Sequence, residues 1–124
     1  MKETAIGECV LRHDARNLRL KRRLAEHGID VRCCAMVRCR FLAPSLAQAL
    51  LLAADLRRQG LGSAHVEPVG PEQAPSTWSL KAPLESSIEK VASHEFTEIL
   101  VHCAGNLDCL YQGWSLAYPV RVAA

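Results

Sequence analysis

Cysteine and histidine are the residues of this chain that could bind a metal or attack a substrate. The 124 residues include six cysteines and five histidines. Zinc sites use short spacings such as Cys-x-x-Cys, because one tight turn must aim two thiolates at the same ion. Here Cys33 and Cys34 are adjacent, Cys39 follows after a longer gap, and His94 and His102 lie far along the chain. We therefore expect no metal and no cofactor, and free thiols that are mostly buried.

Enzymatic use of a single thiol or imidazole is a second possibility. A nearby positive charge lowers the pKa of a cysteine and makes it nucleophilic, and Arg32 lies close to Cys34 in the sequence. His65 and His102 are further candidates for such chemistry. The last fifty residues, however, contain no recognisable nucleophile–base pairing, glycine-rich phosphate loop or carboxylate pair. We therefore expect no catalytic residues, and a protein that acts by binding.

Arginines mark two segments that could contact an anionic partner. Six of the twelve residues from Arg12 to Arg23 are basic, and Arg32, Arg38 and Arg40 share one face of a predicted strand. Such clusters concentrate positive potential and can bind nucleic acid or an acidic peptide. The alternative for the first cluster is a solvated helix face. A net charge of +2 for the whole chain argues against a strongly basic RNA-binding protein.

Length and composition indicate one globular domain over residues 1–124. Hydrophobic residues make up 49% and charged residues 23% of the chain, which excludes the composition of a disordered protein. The apolar run Leu46–Leu56 is too short for a bilayer and contains Gln48 and Asp55. No apolar signal core follows Met1. The expected location is the cytoplasm, without a membrane partner.

Periodicity and capping residues predict seven elements. Residues 1–10 are expected to be loose, and a helix is expected within 12–28. In Val31–Leu42, strict alternation places Cys33, Val37, Cys39 and Phe41 on a dry face and the arginines on a wet one. The remaining predictions are a helix from Ser45 to Gly60, a strand over Ala64–Val69, a loop over Gly70–Pro75, a strand over Thr77–Lys81, a helix that begins at Pro83 and ends at Gly105-Asn106, a strand over Cys109–Tyr118 and a tail over Val120–Ala124.

The order of these elements predicts the fold class. Counted from the first strand, it is β-α-β-β-α-β, which is typical of an α+β ferredoxin-like sandwich with a four-stranded antiparallel sheet and two helices on one face. Residues 31–118 would form this core, and the N-terminal helix would be an addition to it. The other face of the sheet would stay open for binding.

The segment Tyr111-Gln112-Gly113-Trp114 concentrates scarce aromatic residues, which make up only 5% of the chain. The simplest interpretation is a bent strand in which a glycine bulge lets both aromatics pack in the core and at its rim. The alternative leaves one of them exposed as an anchor for a partner. Without a bulge Tyr111 and Trp114 face opposite sides, and a bulge at Gly113 would change that parity. Sequence alone leaves both arrangements open.

Several segments together resemble one known family. They are Asp14 to Asp30, Arg40-Phe41-Leu42, the helix over Ala47–Gly60, Val66-Glu67-Pro68, Trp78, Pro83 and Tyr111-Gln112-Gly113-Trp114. Over nearly the whole chain they resemble the RraB family, regulators of ribonuclease E activity. The last segment is the sharpest element, and it usually reads Tyr-Asp-Gly-Trp in that family, where this chain has Gln112.

The resemblance implies a bacterial, cytoplasmic, non-catalytic protein. Such a protein would bind the scaffold region of ribonuclease E and alter its activity toward RNA. The residues that we expect to contact the partner are Arg32, Arg38, Arg40, Tyr111 and Trp114. A divergent member of the family that binds another protein or RNA is the alternative.

Overall fold

The computed structural model describes residues 3–70 and 77–117. Its elements are α1 (Glu3–Glu26), β1 (Cys34–Ala43), α2 (Leu46–Arg58), β2 (His65–Val69), β3 (Thr77–Ser87), α3 (Ile88–Val91), α4 (His94–Gly105) and β4 (Leu110–Leu116). The four strands form one antiparallel sheet in the order β2-β3-β1-β4. The predicted α+β class with such a sheet and helices is confirmed. The predicted loop over 71–75, the strand end at 118 and the tail over 120–124 lie outside the described residues.

The alternation of β1 separates the two faces of the sheet. Val37, Cys39 and Phe41 have no exposed surface, whereas Arg38 and Arg40 between them are exposed. One dry and one wet face are therefore confirmed for this strand. Helices α2 and α4 cover the dry face and supply much of the core. Their fully buried residues include Leu52, Leu56 and Leu100.

Cys33 was predicted to lie on the dry face, and that prediction is wrong. It precedes β1, which begins at Cys34, and its side chain is exposed. Residues 31–32 form a turn and residue 33 a bend before the strand begins, so the alternation does not extend back to Cys33.

The long helix predicted from Pro83 is wrong over its first five residues and in being continuous. β3 continues through Pro83 to Ser87, and Ser87 and Ser93 then cap two separate helices, α3 and α4. A proline fits here because β2 pairs with β3 only as far as Lys81. Pro83 has no backbone N–H, and beyond Lys81 no hydrogen bond to β2 is lost for that reason. The carbonyl of Pro83 accepts a hydrogen bond from the backbone N–H of Gly62 at 2.8 Å.

The N-terminal region is more ordered than its sequence indicated. Residues 1–10 were expected to be loose, yet α1 begins at Glu3 and buries Ile6, Cys9 and Val10. It packs mainly against α4. At 24 residues α1 is long, but no helix in the described ranges is apolar enough over a sufficient length to cross a bilayer.

The docking of α1 depends on one buried amide, that of Asn17, which is 2% exposed. Its Oδ1 accepts a hydrogen bond from the indole N–H of Trp114 at 2.8 Å. Its Nδ2 donates to Oγ1 of Thr97 at 3.1 Å and more distantly to the carbonyl of Ala92 at 3.5 Å. Thr97 in turn donates to the carbonyl of Ser93 at 2.8 Å. The amide thus joins α1, α4 and β4 in one chain of hydrogen bonds.

Two more side chains of α1 reach the outer edge of the sheet. Nε2 of His13 donates to the carbonyl of Tyr111 at 2.9 Å, and Nη2 of Arg16 donates to the carbonyl of Trp114 at 3.4 Å. Since β4 is at the edge of the sheet formed by the described residues, its outward carbonyls have no strand partner among them. α1 therefore satisfies backbone groups that the sheet alone leaves open.

Replacing Asn17 by leucine should destabilise the protein by about 2–4 kcal/mol. Leucine fits a helix at least as well, but the indole N–H of Trp114 would stay buried without an acceptor. Urea denaturation followed by tryptophan fluorescence measures the loss. The control is Arg22→Leu on the exposed side of the same helix, which should change stability by less than about 0.5 kcal/mol. Equal effects from the two variants would contradict the role assigned to the amide.

Candidate protein-binding surface

The sheet face opposite the helices is the candidate binding surface, and we call it the open face. Its β1 residues include Arg38 and Arg40, both exposed. The register places Arg38 between Pro83 of β3 and Ser115 of β4, and Arg40 between Lys81 and Gly113. Within residues 3–70 and 77–117, neither arginine takes part in an ion pair. Both guanidinium groups are therefore available to an anionic partner.

An open groove of about 380 Å³ runs along this face beside Arg38. Its lining also includes Lys81, His65 and Glu67. Glu67 lies 3.4 Å from the ammonium of Lys81 and 3.5 Å from Nε2 of His65, and the pairing with Lys81 holds the pKa of the Glu67 carboxyl below its usual range. These side chains are well solvated, so the pairs contribute little to stability. Arg38 and Arg40 are thus the cations of this face that form no ion pair within the described residues, and the exposed Glu85, opposite Met36, adds a negative charge to the same face.

Arg32 lies apart from the other two arginines. It precedes β1, and its backbone N–H and Nε donate to Oδ1 of Asp30 at 3.0 and 3.3 Å. Its side chain is 78% exposed, and the carboxylate of Asp30 raises the pKa of the Arg32 guanidinium. Arg32 is thus a partly neutralised residue of the turn before the sheet, and the structure does not group it with Arg38 and Arg40.

Tyr111 and Trp114 are both in the core, at 2% exposure each. The register of β4 against β1 shifts between Arg40 and Phe41, which places the extra residue of a bulge before Gly113. The bulge turns both aromatic rings to the dry face, where Tyr111 contacts Phe41 at a ring-centroid distance of 5.0 Å. Their selection as partner-contacting residues is therefore corrected, because buried rings present no surface to a partner.

Gly113 makes the bulge possible. Its φ of +111° lies in a region that side chains rarely adopt, and a Cβ there would overlap Nη1 of Arg16. Arg16 thus crosses the edge of β4 directly above a residue with no side chain. Nη1 of Arg16 is buried and has no hydrogen-bond partner among the residues that the structure describes.

The cysteines divide into exposed and buried groups. Cys33 and Cys34 are exposed, Cys103 is half-buried, and the remaining three are buried. Burial raises the pKa of the Cys39 thiol to about 12 and that of Cys109 to about 11, so both are poor nucleophiles. In the described part of the chain, no group of three or more histidine, cysteine or acidic side chains is arranged to hold a metal ion.

Sequence reasoning missed the polar contacts that hold α1. Asn17 is at helical spacing from Leu20 and Leu24, and an amide within an apolar stripe is a signal of a buried hydrogen bond. His94 was treated only as a possible metal ligand. It instead bridges two helices, with Nδ1 at 2.7 Å from Oδ2 of Asp14 and Nε2 at 3.1 Å from Oε2 of Glu98.

Comparison with protein families and with curated proteins identified no relative of this chain. No protein-family model matches the chain. No curated protein matches it with significance.

The ion pairs of His94 should make stability depend on pH. The hydrogen bond that His94 donates to Asp14, the charge of Asp14 and the charge of Glu98 raise the pKa of His94 in the folded state. The stabilisation is therefore complete below the unfolded pKa of about 6.5 and is lost as the pH rises through the higher folded pKa. We expect His94→Gln to reduce the free energy of unfolding at about pH 5.5 more than at about pH 8.5.

The matched control for this measurement is His102→Gln on the same helix. His102 forms no ion pair within the described residues. Urea unfolding of this control should show the same change in the free energy of unfolding between the two pH values as wild type shows. A His94→Gln variant with an unchanged pH profile would contradict the assignment.

Thiol labelling should follow burial. In the native protein an aromatic disulfide reagent should react rapidly with Cys33 and Cys34, whereas Cys9, Cys39 and Cys109 should react only as the protein opens. Mass spectrometry of the partly labelled protein identifies the fast sites. The double variant Cys33→Ser, Cys34→Ser should lose the fast phase, and rapid labelling that persists at Cys9, Cys39 or Cys109 would show that a core thiol is accessible.

Proposed function

We propose that this chain is a non-catalytic, protein-binding regulator that resembles the RraB family and binds ribonuclease E through its open face. The strand order β2-β3-β1-β4, with helical connections after β1 and after β3, supports a ferredoxin-like arrangement to which α1 is an addition. That arrangement leaves one sheet face uncovered. The RraB resemblance rests on the sequence segments given above.

The single observation that carries the proposal is the pair of exposed, unpaired guanidinium groups of Arg38 and Arg40 on the open face. Arg38 and Arg40 are neighbours on the open face, and neither forms an ion pair within the described residues. Arginine binds carboxylates in a bidentate manner, which gives both orientation and affinity. We therefore propose that the segment of the partner that contacts this face is acidic.

The groove beside Arg38 supports a binding role in preference to catalysis. Its titratable residues, His65, Glu67 and Lys81, are open to water and already paired with one another. Catalytic groups usually work in sites that exclude water, because charge interactions are stronger there. The groove instead offers a polar rim on which a bound chain could lie.

The test is a calorimetric titration of the purified chain against ribonuclease E that contains its scaffold region, with no RNA present. Wild type should bind with a fixed stoichiometry and should alter cleavage of an RNA substrate in a parallel assay. The variant Arg38→Glu, Arg40→Glu should bind at least about tenfold more weakly, because charge reversal places repulsion at the contact.

The matched control is Arg57→Glu, Arg58→Glu, which changes the net charge equally in the last turn of α2. It should bind as wild type does. Circular dichroism of all three proteins shows whether each variant folds. No binding by wild type would refute the partner, and equal weakening by both double variants would refute the assignment of the surface.

A further inference from the structure

A row of arginines lies along the side of α1 that borders β4. Arg12, Arg16, Arg19 and Arg23 are separated by four, three and four positions, a spacing that places them on one side of a helix with 3.6 residues per turn. The hydrogen bond from Arg16 to the carbonyl of Trp114 identifies this side as the one next to the sheet edge. Arg12, Arg19 and Arg23 are exposed, and we call these three the arginine flank.

The arginine flank forms no ion pair in the described part of the chain, and the glutamates at helical spacing from it, Glu8 and Glu26, lie beyond its two ends. None of its three members forms an ion pair within residues 3–70 and 77–117, although surface pairs such as Arg32 with Asp30 occur elsewhere. The one acidic residue of α1 between the ends of the row is Asp14, which bonds to His94 on the α4 side of the helix. The row therefore presents an uninterrupted positive strip about 16 Å long, given a rise of about 1.5 Å per residue.

We propose that the arginine flank binds the phosphate backbone of single-stranded RNA without reading its bases. Phosphate contacts need only cations and hydrogen-bond donors, which guanidinium groups provide in a planar fork. Base recognition by a sheet needs exposed aromatic rings, whereas Phe41, Tyr111 and Trp114 are buried and Trp78 is half-buried on the helix-covered face, opposite Ala43. The binding is therefore independent of sequence.

A folded protein partner is a poorer fit to the same strip. Protein interfaces depend on buried aromatic or aliphatic anchors surrounded by polar residues. The row consists of four arginines, and the exposed leucines of α1, Leu11 and Leu18, lie about a quarter turn or more away on its outer side. A strip of charge without an apolar centre matches a flexible polyanion better than a folded surface.

The strip also adjoins the open face. Arg16 crosses β4 above Gly113, and Gly113 is the register partner of Arg40. Only one strand therefore separates the arginine flank from Arg40. An RNA strand on the flank would lie beside a protein bound to the open face. RNA binding by the flank does not depend on the proposed partner.

The experiment measures fluorescence anisotropy of a labelled oligouridine titrated with the full chain at several salt concentrations. For three phosphate contacts, the slope of the logarithm of the association constant against the logarithm of salt should be about −2. Affinity should then fall about 15-fold between about 50 and about 200 mM salt. The triple variant Arg12→Gln, Arg19→Gln, Arg23→Gln should bind the oligouridine at least about tenfold more weakly at the lower salt concentration. Its salt dependence should have a slope nearer zero.

The matched control removes three cations elsewhere, with Arg57→Gln, Arg58→Gln, Lys90→Gln. Both triple variants carry a net charge of +2 − 3 = −1, so a loss shared equally by both would show a whole-protein charge effect and overturn the proposal. An oligoglutamate that competes as well as oligouridine would assign the strip to an acidic peptide and also overturn it. Glutamine preserves helix propensity, and circular dichroism verifies the fold of each variant.

Failure of this proposal is separable from failure of the proposed function. The flank variant should still bind ribonuclease E in the RNA-free calorimetric titration, because Arg38 and Arg40 are unchanged. Conversely, the variant Arg38→Glu, Arg40→Glu should retain its arginine flank and most of the RNA salt dependence. If removal of the flank left RNA affinity and slope unchanged, the RNA site would not be on α1.

Discussion

The hydrogen bond between the indole of Trp114 and the amide of Asn17 is the interaction on which the arrangement of this molecule depends. A buried indole N–H needs an acceptor, and Asn17 of α1 supplies it. The same amide donates to Thr97 on α4, so one side chain determines how the N-terminal helix lies against both the helical layer and the sheet. That docking places His13 and Arg16 over β4. It also determines where the other arginines on the same side of α1 lie.

Features of the fold that follow from a regular hydrophobic pattern could be predicted from the sequence. Features that depend on a single tertiary contact could not. The period of two in β1 predicted which side of the sheet is dry, because alternation around Val37 and Arg38 is a local property. The helix expected from Pro83 was wrong because a proline serves equally at a helix start and in a strand with no neighbour on one side. The choice between these two roles of the proline depends on where the pairing of β2 with β3 stops, which is set by tertiary structure.

The same distinction applies to the candidate surface. Arg38 and Arg40 were identified from the strand pattern, and they lie where the pattern placed them. Tyr111 and Trp114 were also selected, but a bulge whose position the sequence leaves open turned both rings inward. The arginine row on α1 was visible as composition, yet its relation to the sheet became apparent only through the contact of Arg16 with Trp114. Contacts between residues almost one hundred positions apart leave little local trace.

The side chains of His13 and Arg16 on the outer carbonyls of β4 have a consequence for self-association. Another polypeptide that pairs with the β4 edge of the sheet would first have to displace the side chains of His13 and Arg16 from its carbonyls. The opposite margin is five residues long and includes Pro68, which has no amide hydrogen to offer. Neither border thus provides a ready template for strand addition, which should help molecules at high concentration to resist fibrillar growth.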